Sequence, residues 1–296
     1  MKKVICLFIT AIITLSLCLT VSAVYDGTVN LAKADRNLTG DGYYWSNTED
    51  TLTLEGLDIV TSDDFGMKIP AGARVIVNGT NRIKAGKYGI GCPGSAVFEG
   101  NGKLIIEAAD GGVYSYSMNS NHKLLFTGGT YEITAGTGIL ADAADISLTG
   151  GTYAINSADY AVSAGKVSVT GGKLGTNASL HASHLLVVDR AQVEITSPLG
   201  ALLSDNMLEI GNVKLMTGDT LDSLEENEVY GGEKCVKTEP LKMGVRRSVL
   251  FGDEYPITLD YALLAAAIVL IACAVVLPIL RKKRKTKKML ESLKKS

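Results

Sequence analysis

Thr127–Ile133 reads TGGTYEI, Thr149–Ile155 reads TGGTYAI, and Thr170–Thr176 reads TGGKLGT, a decayed copy. A repeat of this period marks a stack of like units, each too small to bury a core alone. Following the glycine turn outward gives anchors at Gly56, Gly79, Gly100, Gly128, Gly150, Gly171, Asp189 and Gly211. The gaps between them are 23, 21, 28, 22, 21, 18 and 22 residues. The long gap coincides with Ala109–Asn121, which reads as an inserted loop. About eight coils are therefore expected over residues 50–216.

Within a coil the pattern is strand, turn, strand. Ile146 and Leu148 alternate with Asp145, Ser147 and Thr149, a period of two that turns one set of side chains inward. Gly150-Gly151 then permits a corner, because glycine accepts positive φ without steric cost. Tyr153 and Ile155 resume the alternation beyond it. The same slots hold Val75/Val77, Leu124/Phe126, Val167/Val169 and Leu208/Ile210 elsewhere. No stretch in this region shows helical periodicity, and β-branched residues are frequent. The expected fold class is all-β: a right-handed parallel β-helix, with a β-sandwich as the alternative. A sandwich has no reason to repeat its sequence at a fixed period.

The ends differ from the repeats. Lys2-Lys3, an uncharged apolar run and Val21-Ser22-Ala23 read as a signal peptide over residues 1–23. Residues 24–49 read as an N-terminal cap, and 217–256 as a stalk or C-terminal cap. Ala262–Leu280 is free of charge, so a transmembrane helix is expected over 257–280. Arg281–Lys285 begins a basic tail over 281–296, which predicts a single-pass type I membrane protein with an extracellular ectodomain. The net charge of −2 is unevenly spread. With both basic ends set aside, the intervening chain is strongly acidic, which disfavours nucleic acid as a partner. Only Cys92 and Cys235 fall between the two apolar ends. A disulfide between them and a buried thiol at Cys92 are both open readings.

Three segments carry a resemblance: GDGYYWSNTEDTLTLEGLDI (Gly40–Ile59), KIPAGARVIVNGTNRIKAG (Lys68–Gly86) and YGIGCPGSAVFEGNGKLIIEA (Tyr88–Ala108). They resemble the repeat-rich extracellular proteins of Gram-positive bacteria described as carbohydrate-binding domain-containing. The resemblance covers roughly residues 25–216. It implies a parallel β-helix and, as partner, an extracellular polysaccharide or cell-wall glycan. Its motifs are turns and core rungs, so they bear on the fold more than on the ligand.

Polysaccharide lyases and hydrolases also use this fold, so catalysis must be weighed. Asp63-Asp64 and Arg82-Ile83-Lys84 resemble fragments of polygalacturonase-type hydrolases, whose intervening motifs are missing here. Asp142, Asp145 and Asp159 fall on two adjacent coils, as a lyase's calcium cluster would. Aspartates beside turns usually cap them. No enzyme and no required cofactor are expected; calcium is the one ion left open.

Sugar binding draws on exposed aromatic rings beside polar groups. Tyr114, Tyr116 and Asn119 in the supposed loop are one candidate set; Tyr44 and Trp45 form another, with cap packing as the competing role. Tyr131 and Tyr153, one coil apart, read as a stacked core pair. The expected function is a non-catalytic, membrane-anchored carbohydrate-binding protein of the cell surface. The alternatives are a structural or adhesion ectodomain without glycan specificity, and a lyase or hydrolase.

Overall fold

The computed structural model describes residues 27–241 and the backbones of Val245–Arg247 and Glu254–Pro256. The chain forms two compact units, Met1–Pro240 and Leu241–Ser296. In the second, Val245–Arg247 pairs antiparallel with Glu254–Pro256.

The first unit is a parallel β-solenoid with three strands per turn. The first face stacks Thr51–Glu55, Ala73–Asn78, Ala96–Gly100, Lys123–Phe126 and Asp145–Leu148 in parallel. The second face stacks Asp58–Val60, Thr80–Lys84, Lys103–Glu107, Thr130–Ala135, Thr152–Ser157, Lys173–Thr176 and Gln192–Thr196. The third stacks Phe65–Lys68, Tyr88–Cys92, Gly111–Ser115 and Thr137–Ala141. Tyr160–Val169 and Ser179–Asp189 run from the third face into the first without a break, so those two faces form one sheet. The stack has about seven turns rather than eight: the eight anchors are corners, and eight corners bound seven turns.

Like side chains stack on like because the parallel register is kept from rung to rung. Phe98 lies on Phe126 with centroids 4.6 Å apart, and Tyr131 on Tyr153 at 5.1 Å. Both tyrosines are buried, 0% and 2% exposed, so they belong to the core. Burial pushes both phenols above the ordinary tyrosine range. Tyr153 donates its hydroxyl to the Gly150 carbonyl at 2.6 Å, while the Tyr131 hydroxyl meets no acceptor. Asparagine fills one inward slot. Asn81 is fully buried, accepts the Leu57 N–H at 3.0 Å and donates to the Asn78 carbonyl at 2.8 Å.

The corner between the first and second faces explains the paired glycines. Gly129, Gly151 and Gly172 hold φ of 88°, 89° and 75°. In the last two turns Arg190 and Asn212 take that left-handed seat, at 53° and 51°. A second glycine series lines the inside of the third face. A Cβ at Gly66, Gly89, Gly112 or Gly138 would collide with the Cγ2 methyl of Ile83, Ile106, Ile133 or Ile155 respectively. In these four turns the third face approaches the second too closely for a Cβ at that seat; the next turn holds buried Ala161 there.

The ends are closed by antiparallel strands. Tyr43–Ser46 pairs with Thr51–Glu55 and with Leu38–Gly40, and Val29–Asn30 joins the third face beside Phe65–Lys68. At the other end Cys235–Pro240 inserts antiparallel between Gln192–Thr196 and Val213–Gly218. Cys92 and Cys235 are both buried free thiols, so the disulfide reading falls away. Burial raises the Cys92 pKa to about 11.

The expected membrane anchor is corrected. Among the described residues no helix is long and apolar enough to cross a membrane. Residues 257–280 lie outside the described residues, as do the signal segment 1–23 and the tail 281–296. The transmembrane element, the membrane partner and the type I placement therefore do not carry forward.

Candidate functional site

The outer surface of the third face carries a row of rings on its first turns. Phe65 and Tyr88 are register partners, and their centroids are 5.0 Å apart. Tyr88 stacks on Tyr114 at 4.5 Å and 26°. Tyr116 closes the group at 5.8 Å from Tyr114 and 6.1 Å from Phe65. Only the Phe65–Tyr88 contact follows the register; Tyr88 pairs with Gly111 and Tyr114 with Gly91, so the Tyr88 and Tyr114 rings meet diagonally. All four side chains are half-buried.

Glycine makes room for this row. A Cβ at Gly91 would strike the Phe65 ring, and one at Gly111 would lie 3.0 Å from Tyr88. The rings thus lean along the face over glycines on the next strand. The ammonium of Lys68 sits 4.3 Å from the Phe65 centroid, a cation–π contact. Tyr114 donates its hydroxyl to Asp142 at 2.7 Å. Desolvation first, and then that carboxylate, push the Tyr114 phenol well above its ordinary range. Tyr88 and Tyr116 are raised in the same direction, chiefly by burial. Their hydroxyls stay protonated at neutral pH and can donate to an acceptor. Lys87 pairs with Asp64 at 2.9 Å at the edge of the row.

The expected inserted loop shrinks. Gly111–Ser115 is a rung strand, and the extra residues are 116–122. Tyr114 therefore owes its position to the sheet, while Tyr116 opens the connection. Asn119 organises that connection: its Oδ1 accepts the Asn121 N–H at 2.9 Å and its carbonyl accepts the His122 N–H at 3.0 Å. Its amide nitrogen lies 3.5 Å from His122 Nε2. Trp45 is 1% exposed and leaves no face for a ligand; it pairs across the cap with Leu38 and Leu52. Tyr44 is 43% exposed on the same cap, where Asn37 donates to its hydroxyl at 3.2 Å. The five residues singled out in the sequence thus separate. Tyr114 and Tyr116 come together, while Tyr44, Trp45 and Asn119 lie apart from them.

Phe65 and Tyr88 escaped the sequence reading. Their signal is a second repeat: Phe65-Gly66-Met67, Tyr88-Gly89-Ile90, Gly111-Gly112-Val113, Thr137-Gly138-Ile139 and Tyr160-Ala161-Val162. Its middle residue is the buried glycine of the third face, replaced by Ala161 in the last copy.

Further along the face, Tyr160 stacks on His181 at 4.8 Å. His181 Nδ1 lies 3.1 Å from Ser163 Oγ, and Nε2 lies 3.6 Å from Asp205 Oδ1. The last distance exceeds a hydrogen bond, so the three groups form no proton relay. On the second face a shallow depression of about 310 Å³ lies over Ala154 and Gly175, between Glu132, Thr134 and Asn156. No ring lines it.

The fragments that suggested hydrolysis serve the scaffold. Asp63 accepts from Thr28 at 2.9 Å, Asp64 holds Lys87, and Arg82 pairs with Glu107 at 3.4 Å. Among the described residues no group of three or more His, Cys, Asp or Glu could hold a metal ion, so Asp142, Asp145 and Asp159 do not assemble a calcium site.

Among curated proteins and among solved structures, none matches the chain. A family model described as "Carbohydrate-binding domain-containing protein" matches residues 20–223, and that assignment is consistent with a non-catalytic protein. That match spans the ring row and nearly all of the solenoid, and by it the chain belongs to the carbohydrate-binding domain-containing family.

Proposed function

We propose that the chain binds carbohydrate without cleaving it, and that the row Phe65–Tyr88–Tyr114–Tyr116 is where it does so. The observation that carries this reading is the row itself: four half-buried rings in a closed circuit of contacts, Phe65 to Tyr88 to Tyr114 to Tyr116 and back to Phe65. Aromatic rings suit the apolar C–H faces of sugars. The Tyr88 and Tyr116 hydroxyls, the Asp142 carboxylate and the Lys68 ammonium supply hydrogen bonds to sugar hydroxyls. Family membership supports the ligand class. An origin among repeat-rich bacterial surface proteins fits the same reading, supported by the motifs of Gly40–Ile59 and Lys68–Gly86.

One observation favours a second reading, a structural or adhesion module without glycan specificity. The rings turn their faces to one another, so less ring face is open than in a flat stacking platform. A polysaccharide array separates the two. Glycan binding that falls roughly tenfold in Tyr88→Ala or Tyr114→Ala supports the first reading, since truncating a central anchor costs about 1 kcal/mol or more. Binding to no glycan would sink it.

A further inference from the structure

We propose that the ligand is an uncharged linear glycan lying along the solenoid axis, and that Tyr160, Ser163, His181 and Asp205 form a second subsite for it. The inference rests on the glycan reading of the first ring row and extends it. The two clusters share one face and one register. Tyr114 pairs with Leu140, Leu140 with Ser163, and Ser163 with His181. Three rung steps separate Tyr114 from His181, about 14 Å at the usual strand spacing. Between them the face falls to Thr137 and Leu140, side chains smaller than the rings at either end. A low saddle between two raised aromatic clusters fits a chain that spans both.

The second cluster is built for a polar, ring-shaped ligand. The Tyr160–His181 stack gives it an aromatic edge. Ser163 holds the imidazole from one side at 3.1 Å, and Asp205, 65% exposed, faces it from the other at 3.6 Å. Serine hydroxyl, imidazole and carboxylate together offer both donors and acceptors, as sugar hydroxyls require. The charge along the row points to a neutral polymer. Asp142 touches Tyr114, Asp159 precedes Tyr160, and Asp205 lies beside His181. At the far end Lys87 is paired with Asp64 and Lys68 lies over the Phe65 ring. An anionic polysaccharide would meet carboxylates along most of its path.

The test is calorimetric titration of the full chain with oligomers of cellulose, xylan and mannan, from the disaccharide upward, and with polygalacturonate. Affinity of the wild type is expected to rise with oligomer length. In Tyr160→Ala and His181→Ala the longest oligomers should bind roughly tenfold more weakly, while the shortest binders keep their affinity. Tyr88→Ala should weaken every length. His181→Phe keeps the ring stack and should retain most of the length gain. Asp205→Ala alters an exposed side chain, so its smaller loss on long oligomers serves as a variant that leaves folding intact. A length dependence unchanged in all the second-cluster variants would overturn the subsite. Preference for polygalacturonate would overturn the uncharged ligand. If neither the oligomers nor their parent polymers bind the wild type, the glycan reading itself fails first.

Discussion

Replacing Gly112 by alanine probes the closest approach in the solenoid. The new Cβ would overlap the Ile133 Cγ2 methyl and stand 2.5 Å from the Gly138 carbonyl oxygen. Optimal carbon contacts lie near 3.5–4.0 Å, so both neighbours would have to retreat. The methyl belongs to a fully packed rung, and the carbonyl to a strand held in register on both sides. Overpacking of this kind costs about 1–3 kcal/mol, against which alanine regains about 0.5–1 kcal/mol of backbone entropy relative to glycine. With a methyl and a backbone carbonyl both overlapped, the upper part of that range applies, about 2–3 kcal/mol, and the net loss of about 1–2.5 kcal/mol should lower Tm by about 2–10 °C for a unit of this size. Gly175→Ala is the matched control. Its Cβ would meet nothing closer than the Tyr153 carbonyl at 3.9 Å, in ordinary contact. That variant should gain about 0.5–1 kcal/mol. Thermal melts of the two variants by circular dichroism should therefore move in opposite directions. A Gly112→Ala melt equal to the wild type would refute the steric account of the glycine ladder.

Other outcomes follow from single positions. Arg190→Gly relieves a left-handed seat held by a non-glycine residue, so Tm should rise by about 2–4 °C for a gain near 1 kcal/mol. Asn81→Ala strips partners from the buried Leu57 N–H and Asn78 carbonyl; a loss of about 2–4 kcal/mol should appear in denaturant titration. Tyr153→Phe should cost about 1 kcal/mol, while Tyr131→Phe should be neutral or stabilising, because only Tyr153 has a hydroxyl partner. Alkali should destabilise the fold. Cys92, Tyr131 and Tyr153 have raised pKa values in the native chain, so the unfolded chain releases their protons first. Their contribution is complete below the ordinary thiol and phenol values and is lost as pH climbs past about 9 to 10, which melts at stepped pH would show as a falling Tm.

The corner glycines made the fold legible, because TGGT marks a turn whose second glycine must take positive φ. The alternating aliphatic slots gave the inward face, and the paired tyrosines gave the core stack. The count of turns ran one high, since corners were counted as coils. The site was legible only in part. Tyr114 and Tyr116 stood out as aromatic residues in an irregular gap, yet Tyr114 is held by a rung. Phe65 and Tyr88 lay hidden because their repeat keeps only a glycine, itself alanine in the last copy, and its neighbours vary from turn to turn. A glycine that makes no corner is easily passed over. What it reveals, a close approach of two sheets, appears only when the third face is set against the second. Trp45 misled for the opposite reason: tryptophan fills a cap as readily as it grips a ligand, and only burial tells which.

The glycine ladder recurs at one phase of the coil through four turns, and within them each rung meets its neighbours in parallel register. A whole turn is then an exchangeable module. Duplicating or deleting one would leave the joints above and below intact and alter only the length of the outer face. Such a chain can adjust the reach of its surface by copy number, turn by turn.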